Sequence, residues 1–194
     1  EQLRTTNTFR LPEVILVEQL DDMAALVLEF IPPASPQAGT WEKFGKQLAL
    51  LHKNSNPSFG LEADNYIGVL VQDNQPSSSW AAFYITQRLY PQIELACAQN
   101  KMDKQTEKAF HQLFKALPSL LPEEPPSLIH GDLWNGNYLI DEEGNIVLID
   151  PAICYASREM DLAMTELFGG FPSNFYQAYQ NISPTENGLD ERIK

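Results

Sequence analysis

The most constraining feature of the sequence lies between residues 127 and 151, where short apolar runs alternate with polar loops. Residues 138–140 and 146–148 are two apolar runs, and the polar, glycine-containing segment 141–145 separates them. Two short apolar runs around a turn of this kind predict a β-hairpin. The hairpin decides which distant residues are brought together.

Three oxygen-bearing side chains flank this hairpin. We expect Ile140 to face Val147, and antiparallel pairing then places Asn137 opposite Asp150 at the open end. Asp132 lies five residues before Asn137, in the loop that leads to the same end. Two carboxylates and one carboxamide would therefore converge. Hard oxygen donors of this type are the ligands that Mg²⁺ selects, together with substrate phosphates.

This set of side chains is typical of phosphoryl transfer. One carboxylate and one amide hold Mg²⁺ on the nucleotide phosphates, while the other carboxylate orients the acceptor hydroxyl and takes its proton. The spacing His-x-Asp-(x)4-Asn, followed by a hairpin and a second Asp, is that of the catalytic and metal-binding loops of protein kinases. Here Gly131 replaces the kinase Arg, and Asp150-Pro151-Ala152 stands where Asp-Phe-Gly would be. We therefore expect a kinase that acts on small molecules.

Each of these residues also has a plain structural interpretation. Asp132 alone could be a turn residue, and Asn137 and Asp150 could be strand-end caps. We interpret His130 as a structural histidine. Their joint occurrence at this spacing favours the chemical interpretation. A metal hydrolase that uses His130 and Asp132 is a weaker hypothesis, because it leaves the pairing of Asn137 with Asp150 unexplained.

The rest of the chain is divided by prolines into apolar blocks. Runs at 14–17 and 24–31, separated by a polar stretch with Asp21-Asp22 at the turn, predict two antiparallel strands. Helical spacing of apolar residues predicts helices over 40–51, 80–98 and 102–117, a helix near 158–167 and a short helix from Pro172. In the third of these, we expect one stripe to be core: Met102, Thr106, Ala109, Leu113 and Leu117.

Composition limits the partners. The chain has 26 acidic and 13 basic residues and a net charge of −13, which disfavours a nucleic-acid partner. No apolar run approaches the roughly 20 residues of a membrane span, and the first residues show no signal peptide. Cys97 and Cys154 make no disulfide framework and fit a reducing compartment. We therefore expect a cytoplasmic protein without a membrane or nucleic-acid partner.

The segment from His130 to Asn137, His-Gly-Asp-Leu-Trp-Asn-Gly-Asn, resembles the fructosamine kinase (ketosamine-3-kinase) family. This family lies within a wider group of aminoglycoside-phosphotransferase-like and choline-kinase-like proteins, which share His-Gly-Asp and the downstream Asn and Asp. Trp134 and the segment Ile149-Asp150-Pro151-Ala152 are the narrower marks. Further similar segments extend the resemblance over almost the whole chain: residues 65–68, Trp80, residues 88–89 and residues 158–171.

The resemblance implies an α+β, protein-kinase-like fold, of which the chain is mainly the helical C-terminal lobe with its short catalytic β-hairpin. Residues 1–31 would be a remnant of the N-terminal lobe with its last strands and the hinge, 32–39 a linker, and 40–194 the C-terminal catalytic lobe, truncated at its end. The N-terminal lobe would be largely missing. No Gly precedes Gly39 and no Lys precedes Lys43, so its glycine-rich loop and strand lysine have no counterpart.

The resemblance also implies ATP and Mg²⁺ as cofactors. Glu29, Phe30 and Ile31 would form the hinge, where the backbone of Glu29 and Ile31 would hydrogen-bond adenine. Asn137 and Asp150 would bind Mg²⁺ and, through it, the nucleotide.

On the acceptor side, the resemblance implies that Asp132 is the catalytic base. Trp134 would line the sugar side of the site, although a packed core tryptophan remains the alternative. Asp161 would brace the catalytic loop.

The substrates implied by the resemblance are ketosamines, small or protein-bound, phosphorylated on the 3-hydroxyl of the sugar as the first step of deglycation. Aminoglycosides or choline-type amino alcohols are the alternative acceptors. The missing lysine and glycine-rich loop motivate a different alternative, a non-catalytic, pseudokinase-like binding module.

Overall fold

The computed structural model describes residues 1–21 and 23–193, and the chain divides into two compact units. The first unit comprises Glu1–Leu51, Leu133–Pro151 and Met164–Pro184, and the second comprises His52–Asp132, Ala152–Ala163 and the described residues from Thr185 onward. The elements in chain order are α1 (Gln2–Thr5), β1 (Val14–Leu20), β2 (Met23–Leu28), α2 (Thr40–Leu51), β3 (Asn65–Ile67), β4 (Leu70–Gln72), α3 (Trp80–Phe83), a π-helical segment (Tyr84–Leu89), α4 (Tyr90–Ala98), α5 (Lys104–Leu120), β5 (Ser127–Ile129), β6 (Tyr138–Ile140), β7 (Ile146–Leu148), β8 (Cys154–Ala156), α6 (Glu159–Leu167), α7 (Ser173–Gln180) and α8 (Leu189–Arg192).

The mixed α+β architecture that the sequence predicts is confirmed. The division into residues 1–31, 32–39 and 40–194 stays a prediction. Within the part of the chain that the structure describes, no helix has the length and apolar character needed to cross a membrane.

In the first unit, β1 and β2 form the predicted antiparallel pair. Asp21 lies at the turn with a φ of 43°, whereas Asp22 lies outside the described residues. The ribbon is exposed along its length, including apolar residues such as Val17 and Met23. Apolar strands of this kind are normally covered, because burial of aliphatic side chains is what stabilises a sheet.

The core of the first unit forms where α2 packs against α7. Phe44, Leu48 and Leu51 are fully buried and repeat at helical spacing along α2, as the sequence predicts. The two helices approach closely at Gly45, where a Cβ atom would lie 2.1 Å from the carbonyl oxygen of Phe175. A larger residue at this position would force the helices apart.

The β6–β7 hairpin exists, but its register differs from the prediction by one residue. Ile140 pairs with Ile146 rather than with Val147. The reason lies in the turn, where Asp141 and Asn145 close a three-residue loop and Gly144 adopts the left-handed conformation, with a φ of 76°. A three-residue loop with a left-handed residue is a common hairpin solution, and glycine adopts it without strain.

In the second unit, β5 pairs antiparallel with β8, and β3 pairs with β4. The predicted helix over residues 80–98 is confirmed as one helical stretch from α3 to α4, with π-helical geometry in its middle. Helix α5 continues through Pro118 to Leu120 instead of ending before the proline.

The predicted core stripe of α5 is wrong. Only Leu117 of that stripe is buried, whereas Phe110 and Phe114, on the adjacent stripe, are half-buried. Two neighbouring stripes of a helix satisfy the same spacing, and here the larger aromatic side chains lie on the inward one.

Candidate active site

The loop that carries Asp132 is held by one buried carboxylate. Asp161 Oδ2 accepts hydrogen bonds from the backbone N–H of His130 at 2.8 Å and from His52 Nε2 at 3.1 Å. Asp161 Oδ1 accepts from the backbone N–H of Gly131 at 2.9 Å. His130 is itself fully buried. The structure thus confirms that Asp161 braces the loop, and the burial of His130 agrees with its predicted structural role.

Asp161 is held in its ionised form. Burial acts to raise its pKa, but the interactions with His52, together with those of His130, outweigh burial, and the pKa lies below its usual range. The side chains of His52 and Asp161 are both fully buried. An ionised acceptor strengthens its bonds to the loop amides, so the pair orders the residues on either side of Gly131.

Gly131 is required by a close backbone approach. Its φ is 85°, and a Cβ atom at this position would lie 2.0 Å from the carbonyl oxygen of Ala152. The N–H of Ala152 donates to the carbonyl oxygen of His130 at 2.9 Å, which ties the loop to the segment that leads into β8. Only glycine satisfies both constraints.

Sequence reasoning missed His52. It follows the last residue of α2 and lies four positions after Leu48, so its spacing is that of an ordinary packed histidine. Its partner Asp161 is 109 residues away in the sequence. No local pattern indicates a contact of that separation.

The open end of the β6–β7 hairpin carries the two predicted metal ligands. The carbonyl oxygen of Asn137 accepts from the N–H of Ile149 at 3.1 Å, so Asn137 faces Ile149 rather than Asp150. Asp150 is the next residue and therefore still lies at the same end. It is exposed and has a φ of 48°, a strained conformation that clusters at functional sites when a non-glycine residue adopts it. Asp132 belongs to the second unit, so its convergence with this pair stays a prediction.

Asn137 and Asp150 at the hairpin could bind a metal ion that is also bound by the phosphates of a ligand. Among the described residues, no three His, Cys, Asp or Glu side chains cluster into a metal site. One carboxylate and one carboxamide at the hairpin end match a Mg²⁺ ion that takes its remaining ligands from phosphates and water.

The predicted hinge is anchored to this hairpin through Arg10. Its guanidinium contacts Glu29 Oε1 at 2.6 Å and Asp141 Oδ2 at 2.5 Å, and its carbonyl oxygen accepts from the N–H of Leu148 at 3.1 Å. The N–H of Glu29 donates to the carbonyl oxygen of Glu13 at 2.8 Å. Sequence reasoning missed Arg10, whose two acidic partners lie 19 and 131 residues away.

The predicted hinge leaves two backbone groups available to a ligand. No hydrogen bond within residues 1–21 and 23–193 uses the carbonyl oxygen of Glu29 or the N–H of Ile31. Ile31 is buried, whereas Phe30 between them is 83% exposed. One acceptor and one donor two residues apart match the edge of an adenine ring.

Asp141 gives the protein a specific pH dependence. Although burial raises its pKa, hydrogen bonds from Asn145 and Arg10 lower it from the ordinary 3.8 to about 2. A depressed native pKa contributes stability that is present above about pH 4 and is lost as the pH falls towards 2. We expect wild-type protein to lose about 2 kcal/mol through this group over that range.

The measurement is urea unfolding at several pH values, for the wild type and for Asp141→Asn. The variant is expected to be less stable at pH 5 and to show a shallower loss of stability below pH 4. Asp190→Asn, an exposed carboxylate of α8, serves as the control and should follow the wild type. If the free energy of unfolding of the wild type and of Asp141→Asn falls in parallel as the pH is lowered, Asp141 is not the source of this pH dependence.

Trp134 lies on the loop between Asp132 and Asn137. Its ring centroid is 5.3 Å from that of Phe168, and among the described residues this is its aromatic partner. A Cβ atom on Gly136 would lie 2.5 Å from the indole ring, so a glycine at this position makes room for the side chain. The indole is half-buried, which argues against the interpretation as a packed core residue.

Comparison with known proteins identifies the family. The fructosamine kinase family model matches residues 1–194. A probable ketoamine kinase of Enterococcus faecium is 38% identical over 186 residues, covering 95% of this chain and 66% of the relative. A probable ketoamine kinase of Vibrio parahaemolyticus is 39% identical over 193 residues, covering 98% of this chain and 66% of the relative. The chain thus spans a little under two thirds of the length of these relatives.

Solved structures of similar proteins support the same family. The crystal structure of a protein assigned as a fructosamine-3-kinase from Haemophilus somnus matches with a TM-score of 0.89 and 27% identity, over 99% of this chain and 64% of that one. A second such protein, from Thermobifida fusca, matches with a TM-score of 0.82 and 38% identity, over 94% and 62%. An AMP-bound complex of a spectinomycin phosphotransferase is similar in fold alone, with a TM-score of 0.51 and 20% identity, over 98% and 67%.

Proposed function

Because this chain belongs to the fructosamine kinase family, we propose that its protein is an ATP- and Mg²⁺-dependent kinase that phosphorylates a sugar hydroxyl of ketoamines. The observation that carries the proposal is the ordered loop His130-Gly131-Asp132. Asp161 accepts from the two backbone amides that precede Asp132 and so orders the backbone that leads into it. Such preorganisation is what phosphoryl transfer requires, since catalysis there is mostly positioning and electrostatics.

The geometry of the first unit supports a nucleotide site. Arg10 links the hinge to the turn end of the β6–β7 hairpin, and Asn137 and Asp150 lie at its open end. The backbone of Arg10 also accepts from the N–H of Leu148, next to that open end. We propose that adenine binds at Glu29 and Ile31 and that the phosphates lie near Asn137 and Asp150.

The proposed roles follow from the chemistry of each group. Asp132 accepts the proton of the acceptor hydroxyl as that oxygen bonds to the γ-phosphorus of ATP and the bond from this phosphorus to ADP breaks. Asn137 and Asp150 would hold Mg²⁺, which would neutralise phosphate charge. Trp134 offers an aromatic face to the sugar.

The exposed β1–β2 ribbon supports the assignment of residues 1–31 to the edge of an N-terminal lobe. Its aliphatic side chains are those of a sheet interior, yet they are uncovered within the described residues. In the complete protein, further strands would pair with this ribbon and carry the glycine-rich loop and the lysine that this chain lacks.

The test is ADP release by the complete protein with Mg-ATP and a panel of acceptors. The panel contains fructose- and ribulose-modified lysine, spectinomycin and choline, and the phosphorylated carbon is identified by NMR. Turnover on the ketoamines alone, with phosphate on the sugar 3-hydroxyl, is the expected result. Turnover on spectinomycin or choline alone would show that ketoamines are not the substrate class. Silence on every acceptor would favour the non-catalytic alternative.

A further inference from the structure

We infer that Phe168 is a specificity-determining residue that, together with Trp134, binds the protonated amine of the acceptor. This inference rests on the proposed function, because it concerns the acceptor side of that site. Phe168 and Trp134 form an aromatic pair with ring centroids 5.3 Å apart.

Phe168 is separate from the core of its unit. Three residues later, Phe171 is buried and contacts the rings of Phe44 and Phe175 at 5.4 and 5.0 Å. Phe168 is 56% exposed, and its ring contact is with Trp134. The exposed ring of Phe168 and the half-buried indole of Trp134 therefore leave part of their aromatic surface open to a ligand.

The backbone around the pair holds it in place. The side-chain amide of Asn135 lies 3.5 Å from the carbonyl oxygen of Phe168, and the N–H of Asn137 donates to the carbonyl oxygen of Trp134 at 3.0 Å. The pair is thus attached to the loop that ends at Asn137, a predicted metal ligand. After Phe168, Gly169 and Gly170 adopt φ values of 105° and 75° with nothing near their absent Cβ atoms. The two glycines therefore form a bend whose Cβ positions face open space.

The chemistry of the pair selects an organic cation. The faces of tryptophan and phenylalanine attract ammonium groups, and their apolar surfaces also suit the C–H face of a sugar. A ketoamine combines both features, since a secondary amine, protonated at neutral pH, is attached to the sugar carbon chain. The overall charge of −13 further favours a cationic acceptor over an anionic one.

The test uses the complete protein and two acceptors, fructosyl-lysine and its analogue in which the sugar-bearing nitrogen is acetylated and uncharged. For Phe168→Leu, which keeps apolar bulk but loses the ring, we expect the KM for fructosyl-lysine to rise about tenfold. The KM for ATP and the kcat should be unchanged, as should the KM for the neutral analogue. Phe168→Tyr should behave as the wild type. Leu167→Ala removes a neighbouring apolar side chain that is also exposed, and it is the control.

The outcomes separate this inference from the proposed function. An active wild type whose KM is the same in Phe168→Leu, or rises equally for both acceptors, would overturn the inference alone. Calorimetry supplies a readout that does not depend on turnover. Wild-type binding of fructosyl-lysine that is weakened in Phe168→Leu, without ADP release, would overturn the proposed function and keep the inference. A wild type that binds neither acceptor would overturn both.

Discussion

Asp132→Asn in the complete protein is expected to lower the kcat for phosphoryl transfer by about a thousandfold while sparing nucleotide binding. The amide keeps the size and shape of the side chain but cannot accept the proton of the acceptor hydroxyl. The backbone of the loop should be unaffected, because Asp161 holds it through the amides of His130 and Gly131.

ADP release measures the rate, and calorimetry measures the affinity for Mg-ATP. Asp190→Asn makes the same chemical change at an exposed position of α8 and should keep the wild-type rate. If Asp132→Asn keeps the wild-type rate, Asp132 is not the base. A variant that also loses nucleotide affinity would assign Asp132 to metal binding instead.

Gly131→Ala is expected to cost about 3 kcal/mol of stability and to abolish activity. The left-handed conformation alone costs an L-residue about 1–2 kcal/mol. The new methyl group would also lie 2.0 Å from the carbonyl oxygen of Ala152, a distance that forces the backbone to move. Movement would weaken the bonds from His130 and Gly131 to Asp161 and displace Asp132.

Gly39→Ala separates these two effects. Gly39 has nearly the same φ, 83° against 85°, but a Cβ atom there meets nothing within 4 Å. It should therefore carry only the conformational cost, about 1 kcal/mol, and leave the rate unchanged. Urea unfolding and ADP release on both variants make the comparison. Equal losses of stability would mean that the contact with Ala152 relaxes without cost.

The chemistry of the candidate site could be predicted from sequence because it is encoded at short range. Five residues separate Asp132 from Asn137, and a hairpin brings Asn137 to the end that carries Asp150. Any antiparallel pairing of the two apolar runs gives this result, so it survives the one-residue error in register. The register itself depended on the left-handed Gly144, which selects between loops of three and four residues.

Long-range partners could not be predicted in the same way. His52 has the spacing of a core residue, and Arg10 follows no recognisable motif. Both acquire their roles from carboxylates more than 100 residues away, Asp161 and Asp141. A buried carboxylate needs partners because desolvation of an unpaired charge is costly, but which partner meets it is decided by packing.

The sequence by itself therefore determined the family, the mixed α+β architecture and the residues proposed for the chemistry, because these rest on local spacing and hairpin topology. Only the tertiary structure decided what holds that chemistry in place: the His52–Asp161 pair under the loop, Arg10 between hinge and hairpin, and Phe168 beside Trp134. The physical reason is that periodicity and turns are properties of neighbouring residues. Pairing of charges and stacking of rings across the chain exist only after the core has formed.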